Sequence, residues 1–253
     1  MSKLSSAESR AIAPLAERQL RRWAMDLTVQ EHLPERALAR LPEEVHPFVA
    51  ISREAGAGGE EVGQVVAAAL GCECLDQKLL GFLAERCHVP TVLVEFVDET
   101  TSTLIREVFR RWLDPRVLTA DEFVMRLGEV MLMAARHAPA VFVGRGAQFV
   151  LPRDKGLLVR VIAPVERRIV ATMTRRGLDR AAAETWVRDT DAGRAHFIRH
   201  QFRQDVTDPR LYDLVINLEH FDQQTAGRVI LDAYHHRFGL PAAAGRDLGA
   251  PAP

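Results

Sequence analysis

Short apolar runs alternate with helical stretches along most of this chain. Phe48–Ile51, Ala140–Val143, Leu157–Ile162 and Asp213–Asn217 are too short for helices and show little polar alternation, with Glu73–Leu75 a weaker run. Such runs suit strands buried on both faces. Between them, Val62, Val65, Val66, Ala69 and Leu70 fall on one helical face, and Gly71 stops that helix. Thr119-x-x-Glu122 reads as a capping box opening a helix to His137. Further helices are expected over Val165–Arg176, from Asp179 as a cap toward Phe202, and over Asp222–Phe238, the first ending at Gly177 and the last at Gly239. Strand–helix alternation predicts an α/β fold, a mainly parallel five-stranded sheet sandwiched between helical layers.

The ends of the chain have a different character. Ser5-x-x-Glu8 opens an amphipathic helix over residues 5–27, whose stripe is Ile12, Leu15, Ala16, Leu20, Trp23, Ala24 and Leu27. A short second helix is expected from Pro34 to Arg40. Residues 1–46 therefore read as a helical extension, 47–239 as the α/β domain, and 240–253, rich in Ala and Pro, as a disordered tail. The apolar stripe suits packing on its own domain; the alternative is a homodimer through this helix.

Composition adds exclusions. Apolar residues make up 47% and charged residues 26%, enough for a buried core without bias toward disorder. The net charge of −1 gives no global pull toward nucleic acid or membrane, despite clustered arginines at 106, 110, 111 and 116. No stretch reaches the roughly 18 apolar residues of a membrane helix. Met1-Ser2-Lys3-Leu4 runs into a charged helical pattern rather than an apolar signal core, so a cytoplasmic location is the expectation. Cys72, Cys74 and Cys87, with His88, lack zinc-site spacing and are too few for a disulfide framework.

The chemistry concentrates in Phe48-Val-Ala-Ile-Ser-Arg-Glu-Ala-Gly-Ala-Gly-Gly-Glu-Glu-Val-Gly63, a strand, a glycine turn and a helix start. That layout aims backbone N–H groups and a helix N-terminus at one point, which suits an anion. Gly56, Ala57, Gly58 and Gly59 form the turn. Against the G-x-x-x-x-G-K-[ST] pattern, Arg53 takes the first glycine position and Gly59 the lysine position. Glu60 and Glu61 stand where a hydroxyl near the metal would be. The same segment also reads as a plain tight turn, with Glu60 and Glu61 complementing the helix dipole.

Together with Val141-Phe-Val-Gly-Arg-Gly-Ala-Gln-Phe-Val-Leu-Pro152, this loop resembles the cytidylate kinase-like family, a divergent branch of the P-loop nucleoside monophosphate kinases. The resemblance implies a P-loop NTPase-like three-layer sandwich in which Arg145 meets a monophosphate. Cytidylate kinase proper carries an aspartate where this chain has Gly146. Ala163-Pro-Val-Glu-Arg-Arg168 and Tyr212–Asn217 match later steps of the family fold. Leu75-Asp76-Gln77-Lys78 fits the segment that brings Asp76 near the acceptor. Arg188-Asp-Thr-Asp-Ala-Gly-Arg194 resembles a kinase lid, expected over about 178–205, with Arg188, Asp191 and Arg194 sharing a face if helical. Asp191 then holds one arginine while the other reaches phosphate. The alternative is a solvated face of weak ion pairs.

By that resemblance the activity is phosphoryl transfer from ATP to a nucleoside monophosphate such as CMP. Such transfer needs positioning and positive charge rather than covalent chemistry. Arg53, Arg145, Arg188 and Arg194 are the candidate cations, with Arg53 substituting for the absent lysine. Mg²⁺ is expected to ride on ATP, with Glu61 its candidate protein contact. Two other readings stay open: a nucleotide-binding regulator without turnover, and an interaction protein built on the N-terminal helix.

Overall fold

The computed structural model describes residues 45–77, 79–80 and 120–240, together with Ile12 and Pro14. Five strands form one parallel sheet: β1 (Phe48–Arg53), β2 (Glu73–Leu75), β3 (Ala140–Val143), β4 (Gly156–Ile162) and β5 (Leu214–Asn217). Their spatial order is β2-β3-β1-β4-β5, so β1 lies central with β3 and β4 on its flanks. Phe48 pairs with Ala140 on one side and Gly156 on the other. Every residue of β1 and β3 is buried, as their unbroken apolar runs require.

The helices are α1 (Gly59–Leu70), α2 (Ala120–His137), α3 (Ala147–Val150), α4 (Val165–Arg176), α5 (Arg180–Phe202) and α6 (Gln223–Phe238). Alternate strand residues face opposite layers. Phe48, Ala50, Phe142 and Leu158 pack against Leu127 and Met131 of α2. Val49, Ile51, Val141, Val143, Val159 and Val161 pack against Val62 and Val66 of α1 and Ile230 and Tyr234 of α6. Within the first layer the rings of Phe48 and Phe142 meet edge to face, with centroids 5.9 Å apart. A smaller cluster joins Ala55 of the glycine turn to Ile169 of α4 and Ala183 and Val187 of α5.

Expected helix ends agree with the local chemistry. Asp179 accepts from the Ala182 N–H, and Asp222 from the Thr225 N–H, so both are N-caps. Gly71, Gly177 and Gly239 take left-handed conformations that end α1, α4 and α6. The strand ends move by one or two residues: β1 runs on to Arg53, and Asp213 lies before β5.

Ile12 packs against the α2-side cluster, so at this position the N-terminal stripe meets its own domain. Most of the 1–46 extension, Thr119, Cys87, His88, Arg106, Arg110, Arg111, Arg116 and residues 241–253 lie outside the described residues. Among the described residues, no helix is long and apolar enough to cross a membrane.

Candidate functional site

Parallel register puts the glycine turn and the Gly144-Arg145-Gly146 turn side by side, at the carboxyl ends of β1 and β3. Ligands of open α/β sheets bind at that edge. The first turn is kept narrow by its glycines. A Cβ on Gly56 would lie 2.6 Å from the Arg168 carbonyl oxygen, and one on Gly59 would lie 2.5 Å from the Arg53 Cβ. Gly58 is the N-cap of α1 and offers no side chain, so no side-chain hydrogen bond caps this helix. The first intrahelical bond shown beyond it is Val62 N–H to the Gly58 carbonyl, at 3.1 Å. The preceding N–H groups of the first turn thus point outward, as at other anion sites.

Arg53 ends β1 with its side chain 5% exposed. Its Nη2 donates to Glu60 Oε1 at 2.9 Å and to Gln77 Oε1 at 3.2 Å. A Cβ on Gly144 would collide with its Nη1. The guanidinium therefore bridges the first turn of α1, through Glu60, and the residues after β2, through Gln77, while passing close to Gly144 at the end of β3. Arg53 is the last residue of β1, and its stem lies against Gly59.

Arg194 approaches from α5. Its Nη1 donates to the Arg53 carbonyl at 3.1 Å. Burial, then the neighbouring positive charge of Arg53, push its pKa down, with Glu60 and Asp191 opposing and Arg145 adding to the depression. Among the described residues, the Nε atoms of both Arg53 and Arg194 are buried with no hydrogen-bond partner. Arg145 has left-handed backbone, φ 57, between Gly144 at φ 83 and Gly146 at φ 75. Three consecutive residues in that region make a tight turn that lifts Arg145 off the end of β3. Arg53, Arg145 and Arg194 are thus neighbours.

Asp191 behaves differently from the expected clamp. Its Oδ1 accepts from the Ala55 N–H at 2.7 Å and its Oδ2 from Arg168 Nη1 at 2.5 Å. Neither Arg188 nor Arg194 is its hydrogen-bonded partner. Arg168 also donates to the carbonyls of Ala163 and Ala55, and its Nε lies 3.5 Å from Glu54 Oε2. This network ties α5 to the glycine turn through α4. Arg188 is not brought to the site: its side chain is 72% exposed and pairs with the adjacent Asp189. Helical spacing put residues 188, 191 and 194 near one face, but i to i+6 drifts far enough to separate Arg188 from Arg194.

Glu61 pairs with Arg175 of α4 at 2.6 Å. Asp76 accepts from the Leu79 N–H at 2.8 Å, holding the turn that presents Gln77 to Arg53. Among the described residues, no group of three metal-ligating side chains forms. Gly146 has its own steric reason. A Cβ there would collide with the Phe202 ring, which stacks on Phe149 with centroids 5.0 Å apart. An aspartate at 146 is incompatible with that packing.

The sequence reading missed Glu54, Gln77, Arg168 and Phe202 as parts of this site. Arg168 carried a signal, since it sits in the matched Ala163–Arg168 step. The others depend on tertiary docking and left no local trace.

A mainly parallel α/β sheet in this order, with a glycine turn leading from β1 into α1 and arginines at the carboxyl edge, defines a P-loop kinase-like domain. The chain belongs to the cytidylate kinase-like family, whose model matches residues 48–220. A solved structure, an uncharacterized protein from Eubacterium ventriosum ATCC 27560, is similar with TM-score 0.58 and 19% identity, covering 75% of this chain and 98% of that one. Shikimate kinase from Acinetobacter baumannii in complex with shikimate matches at TM-score 0.38 and 19% identity, over 77% and 94% of the two chains. A gluconokinase from Sinorhizobium meliloti 1021 matches at TM-score 0.37 and 15% identity, over 76% and 98%. No curated protein matches this chain.

Proposed function

We propose that this protein transfers a phosphoryl group from ATP to a small acceptor that already carries a phosphate, a nucleoside monophosphate such as CMP by family likeness. One observation supports this above the rest: Arg53, Arg145 and Arg194 crowd together beside a glycine turn, with the Nε atoms of Arg53 and Arg194 buried and without a hydrogen-bond partner among the described residues. Like charges held that close call for an anion between them. A dianionic acceptor phosphate suits this spot better than a neutral hydroxyl compound.

In this reading the outward N–H groups at the start of α1 hold the donor phosphates. Arg145 and Arg194 hold the acceptor phosphate, and Arg53 faces the transferring group. Mg²⁺ would be carried on the nucleotide, where it would neutralise donor charge. Asp191 positions Ala55 and Arg168 rather than touching substrate. Asp76 acts through the turn that presents Gln77. Arg188, exposed in this conformation, joins only if α5 shifts on closure.

A second reading is favoured by one contact. Glu60 holds Arg53 at 2.9 Å, so the loop supplies its own carboxylate where phosphate charge is needed. A nucleotide-binding regulator with little turnover fits that arrangement. Arg145→Ala tests the shared premise of both. It is expected to weaken nucleotide monophosphate binding by about 1.5–3 kcal/mol, the scale of a hydrogen bond to a charged group, with the melting temperature unchanged. Unchanged binding with a lowered melting temperature would make Arg145 a structural residue.

A further inference from the structure

Arg160 stands outside the site described above. It lies in β4 on the α2 side of the sheet, since Leu158, two residues earlier, belongs to that layer. In register it sits between Ser52 of β1 and Val215 of β5. It is 7% exposed. Its Nη1 donates to Ser52 Oγ at 3.2 Å, and its guanidinium carbon lies 5.7 Å from the centre of the Tyr212 ring. The Tyr212 hydroxyl lies 3.3 Å from the same Ser52 oxygen and donates to the Val206 carbonyl at 2.8 Å.

What this arrangement lacks is an acid. Among the described residues, no carboxylate forms an ion pair with Arg160, whereas Arg53, Arg153, Arg168 and Arg237 each have one. Arginine is rarely this buried without a counter-charge, because removing the ion from water is costly. Among the described residues its contacts are one hydroxyl and one ring face, so further N–H donors of its five are available to a ligand. The row Ser52–Arg160–Val215 also opens toward solvent at the edge strand, where Val215 is 46% exposed.

We infer that Arg160, with Ser52 and Tyr212, forms a second oxyanion site on the face of the sheet opposite α1. It would take a phosphate or carboxylate group, whose two oxygens match the guanidinium fork. Arg160 and Arg53 lie on opposite faces of the sheet, because Arg160 is in register with Ser52 and adjacent strand residues alternate. The inference does not depend on the protein being a kinase.

The chain has two tyrosines, Tyr212 and Tyr234. Tyr234 sits in the other layer, donating to the Pro47 carbonyl, and serves as an internal control. Fluorotyrosine labelling of the full chain gives one fluorine resonance for each, assigned with Tyr234→Phe. Titration with inorganic phosphate, and in parallel with acetate, is expected to shift the Tyr212 resonance saturably and leave Tyr234 in place. The shift should persist in Arg145→Ala and vanish in Arg160→Met. If Arg160→Met disturbs Tyr234 as well, Arg160→Lys decides: affinity reduced about tenfold supports the site, and unchanged affinity overturns it. A Tyr212 resonance that ignores both anions in the wild type, or responds equally in Arg160→Met, also overturns it.

Discussion

Replacing Asp191 by alanine removes the link between α5 and the glycine turn, and its cost follows from the contacts. Two hydrogen bonds are lost, one from the Ala55 N–H at 2.7 Å and one from Arg168 at 2.5 Å. Hydrogen bonds to charged groups contribute about 1.5–3 kcal/mol each. Exposure lowers both, since the Asp191 side chain is 31% exposed and accessible ion pairs contribute only about 0–1 kcal/mol. Arg168 also keeps its bonds to the Ala163 and Ala55 carbonyls and its contact with Glu54, so it is not left as an isolated buried charge. The sum is about 2–3 kcal/mol for Asp191→Ala, dominated by the Ala55 bond. Asp191→Asn keeps an oxygen for Ala55 and loses only the ion pair, so about 1 kcal/mol is expected. Urea unfolding followed by circular dichroism, with the slope compared across variants, reads both values. A loss under about 0.5 kcal/mol for the alanine variant, or equal losses for both, would refute the reasoning that Asp191 anchors the turn.

Three more outcomes follow from particular contacts. Gly146→Asp should destabilise the fold through collision with Phe202 and a left-handed backbone costing about 1–2 kcal/mol; adding Phe202→Ala should restore part of the loss, and a single variant as stable as wild type would contradict this. Burial alone would raise the Asp213 carboxyl, but Arg153, the Leu158 N–H and Arg237 outweigh it and hold its pKa below the ordinary value. The stability it adds is therefore complete above the unfolded value and is lost as pH falls through the lower folded value, so wild-type stability should decline as pH drops below the ordinary carboxylate value of about 4, and unfolding curves across pH should show a shallower decline in Asp213→Asn. Glu60→Gln frees Arg53 from its carboxylate and should tighten nucleotide binding measured by calorimetry; weaker binding together with lost turnover would instead make Glu60 part of the reacting assembly.

The layered fold was largely legible because unbroken apolar runs and glycine stops are local signals. Phe48–Ile51 and Ala140–Val143 announced buried strands, and Gly71, Gly177 and Gly239 fixed three helix ends. The site was legible only as a set of segments. The glycine turn and Gly144–Gly146 could be named, but which arginine meets which acid depends on how α4 and α5 dock. Periodicity offered Arg188 and Arg194 as partners of Asp191, whereas the packing of Ile169 against Ala183 and Val187 delivers Arg168 instead. Gly146 looked like a missing aspartate, and only its contact with Phe202 shows why no side chain fits. Arg160 left no trace because a lone arginine in an apolar run reveals burial but not the lack of a partner.

The central claim is that three converging arginines serve phosphoryl transfer to a phosphorylated acceptor. The most direct measurement is product formation from ATP and Mg²⁺ with each nucleoside monophosphate in turn, using wild type and Arg194→Ala side by side. The account predicts slow, Mg²⁺-dependent formation of ADP and a nucleoside diphosphate, greatest with CMP and reduced at least tenfold in Arg194→Ala. No product and no binding of any nucleotide at millimolar concentration would contradict it.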